Sequence, residues 1–224
     1  MNYLLPSDRL PKAFSLLELL VVMSIIGVII TLSIPTFSGV LEANSISRSS
    51  HIVIDHISQA RQMAAAQNTS IEVRFARQPA AMPSTATGAT GVYNAVQLWR
   101  TDPSGGPAAP VSKLELLPTG FVVAVGAGAP YLSPPLAPAA IPAPLSGTVD
   151  HGGTSLNYVG FEIRPAGLIP SMLDQSLKNT FITITALRDA DSTAAGLSGP
   201  SREISNYAIV QLNPLTGSAQ VYQP

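Results

Sequence analysis

Residues 14–34, FSLLELLVVMSIIGVIITLSI, form an almost continuous apolar run whose only charge is Glu18. At ~1.5 Å rise per residue such a run makes a helix of about 32 Å, close to the ~30 Å hydrocarbon thickness of a bilayer. The run therefore reads as a membrane-inserting helix. Arg9 and Lys12 lie ahead of it, and the first charges behind it are Glu42 and Arg48. The positive-inside asymmetry predicts a cytoplasmic N-terminus and places everything beyond Pro35 on the other side.

Composition narrows the rest. A chain of 224 residues holds one medium domain besides this helix. The formal net charge is −1 with only 11% charged residues, so a nucleic-acid partner is not expected. Cysteine is absent, which excludes disulfide staples, thiolate metal sites and a cysteine nucleophile. Twenty prolines and seventeen glycines point to turns, short strands and irregular loops beyond the first helix.

Three readings compete for the apolar run: an ordinary signal peptide, a plain anchor, and a leader whose apolar segment is retained after cleavage. An ordinary signal peptide has a core of about 7–15 residues followed by a small-x-small cleavage site. This run is longer and ends in Ser33-Ile34-Pro35-Thr36-Phe37, a poor site. The string from Lys12 through Ala13, Phe14, Ser15, Leu16, Leu17 and Glu18 to Val22 separates the other two. It resembles the type IV prepilin signature, in which a small residue, usually Gly, precedes the cut, Phe follows it, and a Glu stands four residues further on. The resemblance implies a leader of residues 1–13, cut between Ala13 and Phe14 and N-methylated at Phe14 by a membrane prepilin peptidase/methyltransferase. Ala13, where Gly is usual, is the one departure.

A carboxylate inside an apolar helix costs about 2.5–3.5 kcal/mol near the bilayer centre and marks a function by default. Glu18 can also snorkel, since it stands only about 6 Å along the helix from Phe14. The resemblance supplies a partner instead: Glu18 of one subunit pairs with the Phe14 amine of a neighbour and sets register during assembly. Gly27 and Pro35 are the expected kink of this helix, because Pro35 cannot donate to the carbonyl of Thr31 and crowds that turn. In the resembling family the corresponding region unwinds on assembly; a passive kink is the alternative.

The expected domains are the leader 1–13, a transmembrane helix 14–35, an amphipathic stalk helix 36–67, and a β-rich head 68–224. Ile46, Val53 and Ala60 recur at seven, with Ile57 and Ala64 between them, as on a helix lying against a core. Asn68, Thr69 and Ser70 stop it. Strands are predicted at 71–75, 93–100, 112–117, 121–125, 156–163, 180–187, 207–212 and 219–222, the last two joined by the turn-rich connector 213–217. Residues 78–91 and the proline-rich 126–147 read as surface loops. The fold class is α+β, a long N-terminal helix packed on an antiparallel sheet. The head is similar, more loosely, to H-type minor pseudopilins of type II secretion, through residues 61–64 (RQMA), 161–167 (FEIRPAG) and the 209–217 hairpin. The layout also resembles the Verru_Chthon cassette protein D family.

Other chemistry is weak. The string 150–155, DHGGTS, has the His-Gly-Gly of an esterase oxyanion loop, but no G-x-S-x-G accompanies it, so a polar turn is expected. His51 and His56 stand five apart, off the i, i+4 spacing of a metal pair, and are expected to be solvated or capping. Asp189 and Asp191 lack the rest of an EF-type loop, and Gly126-Ala127-Gly128 lacks a dinucleotide fingerprint. No catalytic residue, metal or cofactor is expected. The expected function is a minor pilin or pseudopilin in the inner membrane, its head periplasmic or extracellular. Its expected partners are the peptidase, other pilin or pseudopilin subunits and inner-membrane lipid. The alternative is a membrane-anchored binding module that does not polymerise.

Overall fold

The computed structural model describes residues 15–82, 92–125, 136, 145–173, 180–187 and 207–223, with the side chains of 31–40 left out. Among the described residues one α-helix, α1 (Leu16–Gln67), is followed by eleven strands. The chain divides into two compact units, Met1–Leu41 and Glu42–Pro224.

The start of α1 is set by Ser15, whose carbonyl accepts from the backbone N–H groups of Glu18 (3.0 Å) and Leu19 (3.1 Å). Its end follows the expected stop signal. Asn68 takes the left-handed conformation, φ +49°, and the Thr69 N–H donates to the Ala64 carbonyl at 3.3 Å. That is a Schellman-type cap in which Asn replaces the more usual Gly.

The strands are β1 (Ile71–Ala76), β2 (Val92–Tyr93), β3 (Ala95–Arg100), β4 (Ala109–Pro110), β5 (Glu115–Leu116), β6 (Phe121–Ala124), β7 (Leu145–His151), β8 (Thr154–Ile163), β9 (Phe181–Ala186), β10 (Tyr207–Leu212) and β11 (Ala219–Tyr222). They form two sheets. The first has the order β4-β3-β1-β8-β7, with β5 also on β3, and the second the order β11-β10-β9-β6-β2. All described pairings are antiparallel.

The chain changes sheets between β2 and β3, at Asn94, and such a corner must satisfy polar groups that neither ladder serves. The Asn94 N–H donates to the Ala76 carbonyl (3.2 Å) and its own carbonyl accepts from Leu117 N–H (2.9 Å). Its side-chain oxygen accepts from Gln78 N–H (2.7 Å), and its amide donates back to the Gln78 carbonyl (3.1 Å). A buried amide thereby holds the switch.

Three expectations are corrected, the first being the strand expected at 93–100, which Asn94 divides into β2 and β3 on different sheets. Residues 112–117 do not form one strand. Only Glu115–Leu116 pairs with β3, and the Ser112 hydroxyl takes the Leu98 N–H at 2.8 Å in place of a ladder carbonyl. The stretch 126–147 is not loop to its end, because β7 begins at Leu145 and pairs along its length with β8. Gly152 and Gly153, at φ +59° and +80°, make the two-residue turn that joins them, as a hairpin with positive φ at both positions requires.

One hydrophobic cluster contains Ile46, Val53, Ile57, Ala60 and Ala64 of α1, Val73, Phe75 and Phe161 of the first sheet, and Ile182, Ile184 and Val210 of the second. Each large side chain fully buried there contributes about 1.5–3 kcal/mol. The Phe75 and Phe161 rings lie 6.4 Å apart between centroids, tilted by 45°. Polar groups on the same side of the helix bond to its own carbonyls: Ser49 to Ser45, and Ser50 to Ile46 and Ser47.

On the opposite face of the first sheet, Arg74 stacks between Trp99 and Tyr158, its guanidinium carbon 4.2 Å from each ring centroid. Gly160, directly across from Arg74, has no room for a side chain, since a Cβ there would meet the backbone of Val73 and Arg74. Glu72 completes the group, with its carboxylate 2.6 Å from Arg74 Nη2 and accepting from Nε at 2.7 Å.

The turn after β8 meets the last hairpin through two glycines. A Cβ on Gly167 (φ +83°) would lie 2.6 Å from the Thr216 carbonyl, and one on Gly217 (φ +63°) 2.7 Å from the Gly167 carbonyl. Ile169 N–H donates to the Pro214 carbonyl at 2.8 Å beside them. Gly167→Ala and Gly217→Ala should each lose about 1–3 kcal/mol in thermal unfolding, whereas Gly105→Ala, at φ +84° but in open space, should lose about 1 kcal/mol. Glu72→Ala, which strands a nearly buried guanidinium, should cost about 3 kcal/mol. Glu162→Ala, which removes a surface partner of Arg164, should cost less than about 1 kcal/mol by the same denaturation assay.

Candidate functional site

The site predicted from sequence begins at Ala13 and Phe14, which lie outside the described residues. Glu18 is described: it stands in the first turn of α1, exposed, three residues after the Ser15 that opens the helix. The Ser15-Leu16-Leu17-Glu18 spacing is that of a capping box, and a carboxylate in a first turn faces the positive end of the helix dipole. The local signal, Ser followed three residues later by Glu ahead of an apolar run, was present all along.

Leu16, Leu17, Leu19, Leu20, Val21, Val22, Met23, Ile25, Ile26, Val28, Ile29 and Ile30 are all exposed. A helix apolar around its circumference has no aqueous face to turn outward. Among the described residues no helix is long and apolar enough to cross a membrane. Of the transmembrane segment expected at 14–35, Phe14 lies outside the described residues and α1 covers the remainder from Leu16.

A Cβ at Gly27 would meet nothing within 4 Å, so no close approach requires glycine there. Helix α1 is continuous through Pro35, so the boundary expected at 35/36 does not interrupt it. The division into compact units falls at Leu41 and Glu42.

His51 is exposed, but His56 is buried, which corrects its expected solvation. Position 56 is three residues past Val53 and four before Ala60, so it shares their buried stripe. Its Nδ1 donates to the Ile52 carbonyl at 2.9 Å, and Nε2 lies 3.7 Å from a Glu115 carboxylate oxygen. Asp150 and His151 occupy the end of β7 and pair with Ser155 and Thr154, as a polar hairpin end. Asp189, Asp191 and Gly126-Ala127-Gly128 lie outside the described residues. Among the described residues no group of three or more acidic or histidine side chains is placed to hold a metal.

Against known families, residues 9–34 match the prokaryotic N-terminal methylation motif, which is typical of type IV prepilin-like proteins. Such a motif is indicative of a pilin- or pseudopilin-like prepilin-peptidase substrate. The motif implies processing by that peptidase, assembly with other pilins and anchoring through the N-terminal helix. A helix followed by antiparallel sheets is consistent with a pilin-like fold. No curated protein and no solved structure matches the chain.

The size of residue 13 is open to direct test. Ala13→Gly should be processed at least as fast as the native chain, while Ala13→Leu should block cleavage, read as the proportion of leader-bearing protein by mass spectrometry in cells expressing the peptidase.

Proposed function

We propose that this chain is a minor pilin or pseudopilin, a structural subunit that enters a type II secretion or type IV pilus-like filament and performs no catalysis. The observation that carries the reading is the methylation motif at 9–34 running directly into α1, whose later residues Val53, Ile57, Ala60 and Ala64 belong to the core of the head. Ala13 and Phe14 are then a substrate site for the peptidase/methyltransferase, and Phe14 becomes the methylated terminus. Before assembly the subunit sits in the inner membrane, its head periplasmic. The exposed apolar residues from Leu16 to Ile30 meet lipid there and other subunits in the filament.

Glu18 acts as an assembly contact. A carboxylate in this apolar stretch is stabilised by a positive partner, and the Phe14 amine of a neighbouring subunit supplies one. Gly27 and Pro35 give the helix its weakest segment, since Gly lowers helix propensity and Pro removes a donor. Helix-on-sheet packing of the pilin type is supported by Val53, Ile57, Ala60 and Ala64, which belong to the same hydrophobic cluster as Phe75, Phe161 and Ile182 of the strands. The minor-pseudopilin assignment draws on the junction between the 161–167 segment and the closing hairpin, two segments that the sequence resemblance named and that meet at Gly167 and Gly217.

The test is the mass of the N-terminal peptide from purified protein together with the fate of Glu18→Ala. An N-methylated Phe14 terminus is expected, and Glu18→Ala should be cleaved but enter filaments at less than about a tenth of the native level, consistent with loss of a charge-assisted pair. An intact leader, or a variant that assembles normally, would leave a tethered binding module as the better description.

A further inference from the structure

Among the described residues, the outer edges of the two sheets are not alike. One side of the first sheet ends in the two-residue strands β4, which holds Pro110, and β5, and the second sheet ends in the two-residue β2 and the four-residue β11. The remaining edge is β7, seven residues in unbroken register with β8 and without proline, lysine or arginine. Natural sheets blunt an edge by shortness, proline, lysine or a bulge, because a long bare edge is a template for another strand. We propose that β7 accepts an extended peptide segment of another protein as an added antiparallel strand, one that sets an aromatic residue across from Gly147 and a lysine or arginine across from Asp150.

Strand register decides which backbone groups the edge presents. The Arg77 N–H donates to the Asn157 carbonyl at 2.8 Å, so the backbone groups of Asn157 face β1 and those of Leu156 and Tyr158 face β7. Their partners Val149 and Gly147 therefore direct their own N–H and C=O to β8, as His151 does beside the Gly152-Gly153 turn. The alternate residues Ser146, Thr148 and Asp150 direct theirs away from the sheet. All three are exposed, and no described strand lies beyond them. A seven-residue peptide, about 24 Å long when extended, closes about six backbone hydrogen bonds with this row.

Side chains on the two faces of the edge set what it takes. On the outer face Gly147 stands directly across from Tyr158, and a Cβ on it would lie 3.2 Å from the phenol ring. The ring thus reaches over the glycine toward the edge, held by its stack on Arg74 at 4.2 Å. Against an added strand Gly147 stands in a non-hydrogen-bonded pair, the kind that brings side chains closest. An aromatic side chain there lies against Tyr158 with no β-carbon between them, as aromatic residues do across from edge glycines. Val149 beside it is already buried with Leu156, Ala76 and Ala95, so the added strand extends an existing apolar layer. The other face of β7 carries Ser146, Thr148 and Asp150. Among the described residues no ion pair includes Asp150, and a lysine or arginine across from it completes a cross-strand charge pair.

A second copy of β7 is a poorer fit. Paired antiparallel about Thr148, it sets Ser146 in place of a cation across from Asp150. Across from Gly147 it sets Val149, whose side chain is already buried in its own head. The occupant is therefore a different sequence. The edge belongs wholly to the head, so the proposal does not depend on processing or polymerisation of the chain.

The edge is tested with full-length protein in detergent micelles, titrated by fluorescence anisotropy against a labelled peptide of sequence TKVTFTV with Gly-Ser at each end. Antiparallel pairing sets its lysine across from Asp150 and its phenylalanine across from Gly147, and saturable binding is expected. Thr148→Pro removes an outward N–H at an edge position that tolerates proline, and should weaken binding by about tenfold or more. Asp150→Asn should weaken it by about threefold, and alanine in place of the peptide's phenylalanine by about fivefold. If Thr148→Pro lowers the melting temperature, proline at the peptide's central threonine makes the same test on native protein. The proposal is overturned by any of three results: no saturable binding, equal binding of a peptide with the same residues in the non-alternating order VVFTTTK, or undiminished binding when either proline is present. Self-association of the native chain that Thr148→Pro abolishes, read by sedimentation, would make a second copy the occupant and overturn it equally.

Discussion

Burial of apolar surface shared by three elements is the constraint on which the head depends. Val53, Ile57, Ala60 and Ala64 from α1 belong to one cluster with Phe75 and Phe161 from one sheet and Ile182, Ile184 and Val210 from the other. None of the three elements buries its apolar side alone. A two-residue strand such as β2 or β5 has too few ladder bonds to persist by itself, and it is held because its neighbours are already fixed. The buried polar groups follow the same constraint. Ser49, Ser50 and His56 lie on the helix side turned to the core and satisfy their hydrogen bonds on α1's own carbonyls, so their burial leaves no donor stranded.

Helix α1 joins two different environments in one continuous element. From Leu16 to Ile30 its apolar side chains are exposed, whereas from Ile46 onward they are divided between a buried stripe and a polar remainder. The first pattern suits an apolar solvent or other apolar helices, and the second suits a half-buried helix of a water-soluble domain. The methylation motif, residues 9–34, falls wholly within the first compact unit, Met1–Leu41, and the second unit begins at Glu42. Processing and assembly chemistry is therefore written in a segment that makes little demand on the fold of the head.

Polar specificity in the head is concentrated where strands end or change sheets. Asn94 closes four hydrogen bonds at the switch between sheets, and Arg77 and Asn157 bond through their backbones just past the last pair of β1 and β8. The outer face of the first sheet is organised by a cation between two aromatic rings and a carboxylate, and Gly160 beside it allows the close approach of β8 to the β1 backbone. Each device spans residues far apart in the chain, brought together by strand register.

The amino-acid sequence by itself determined the N-terminal motif, the helix with its Asn68 stop, and those strands whose alternation is strong, such as Phe181–Ala186, Tyr207–Leu212 and Ala219–Tyr222. These depend on local periodicity and on the conformational preferences of a few residues, which are properties of adjacent positions. Strand β7 was hidden behind prolines, although the Gly152-Gly153 turn signalled it, and the burial of His56 was legible only from its place on the helical stripe. Tertiary structure alone decided the division into two sheets, the Asn94 corner, the Arg74 stack, the meeting of Gly167 with Gly217, and the place of β7 at a sheet edge. Each of these rests on which distant strands become neighbours and in what register, and that choice is made by burial of the whole core, which no local pattern encodes.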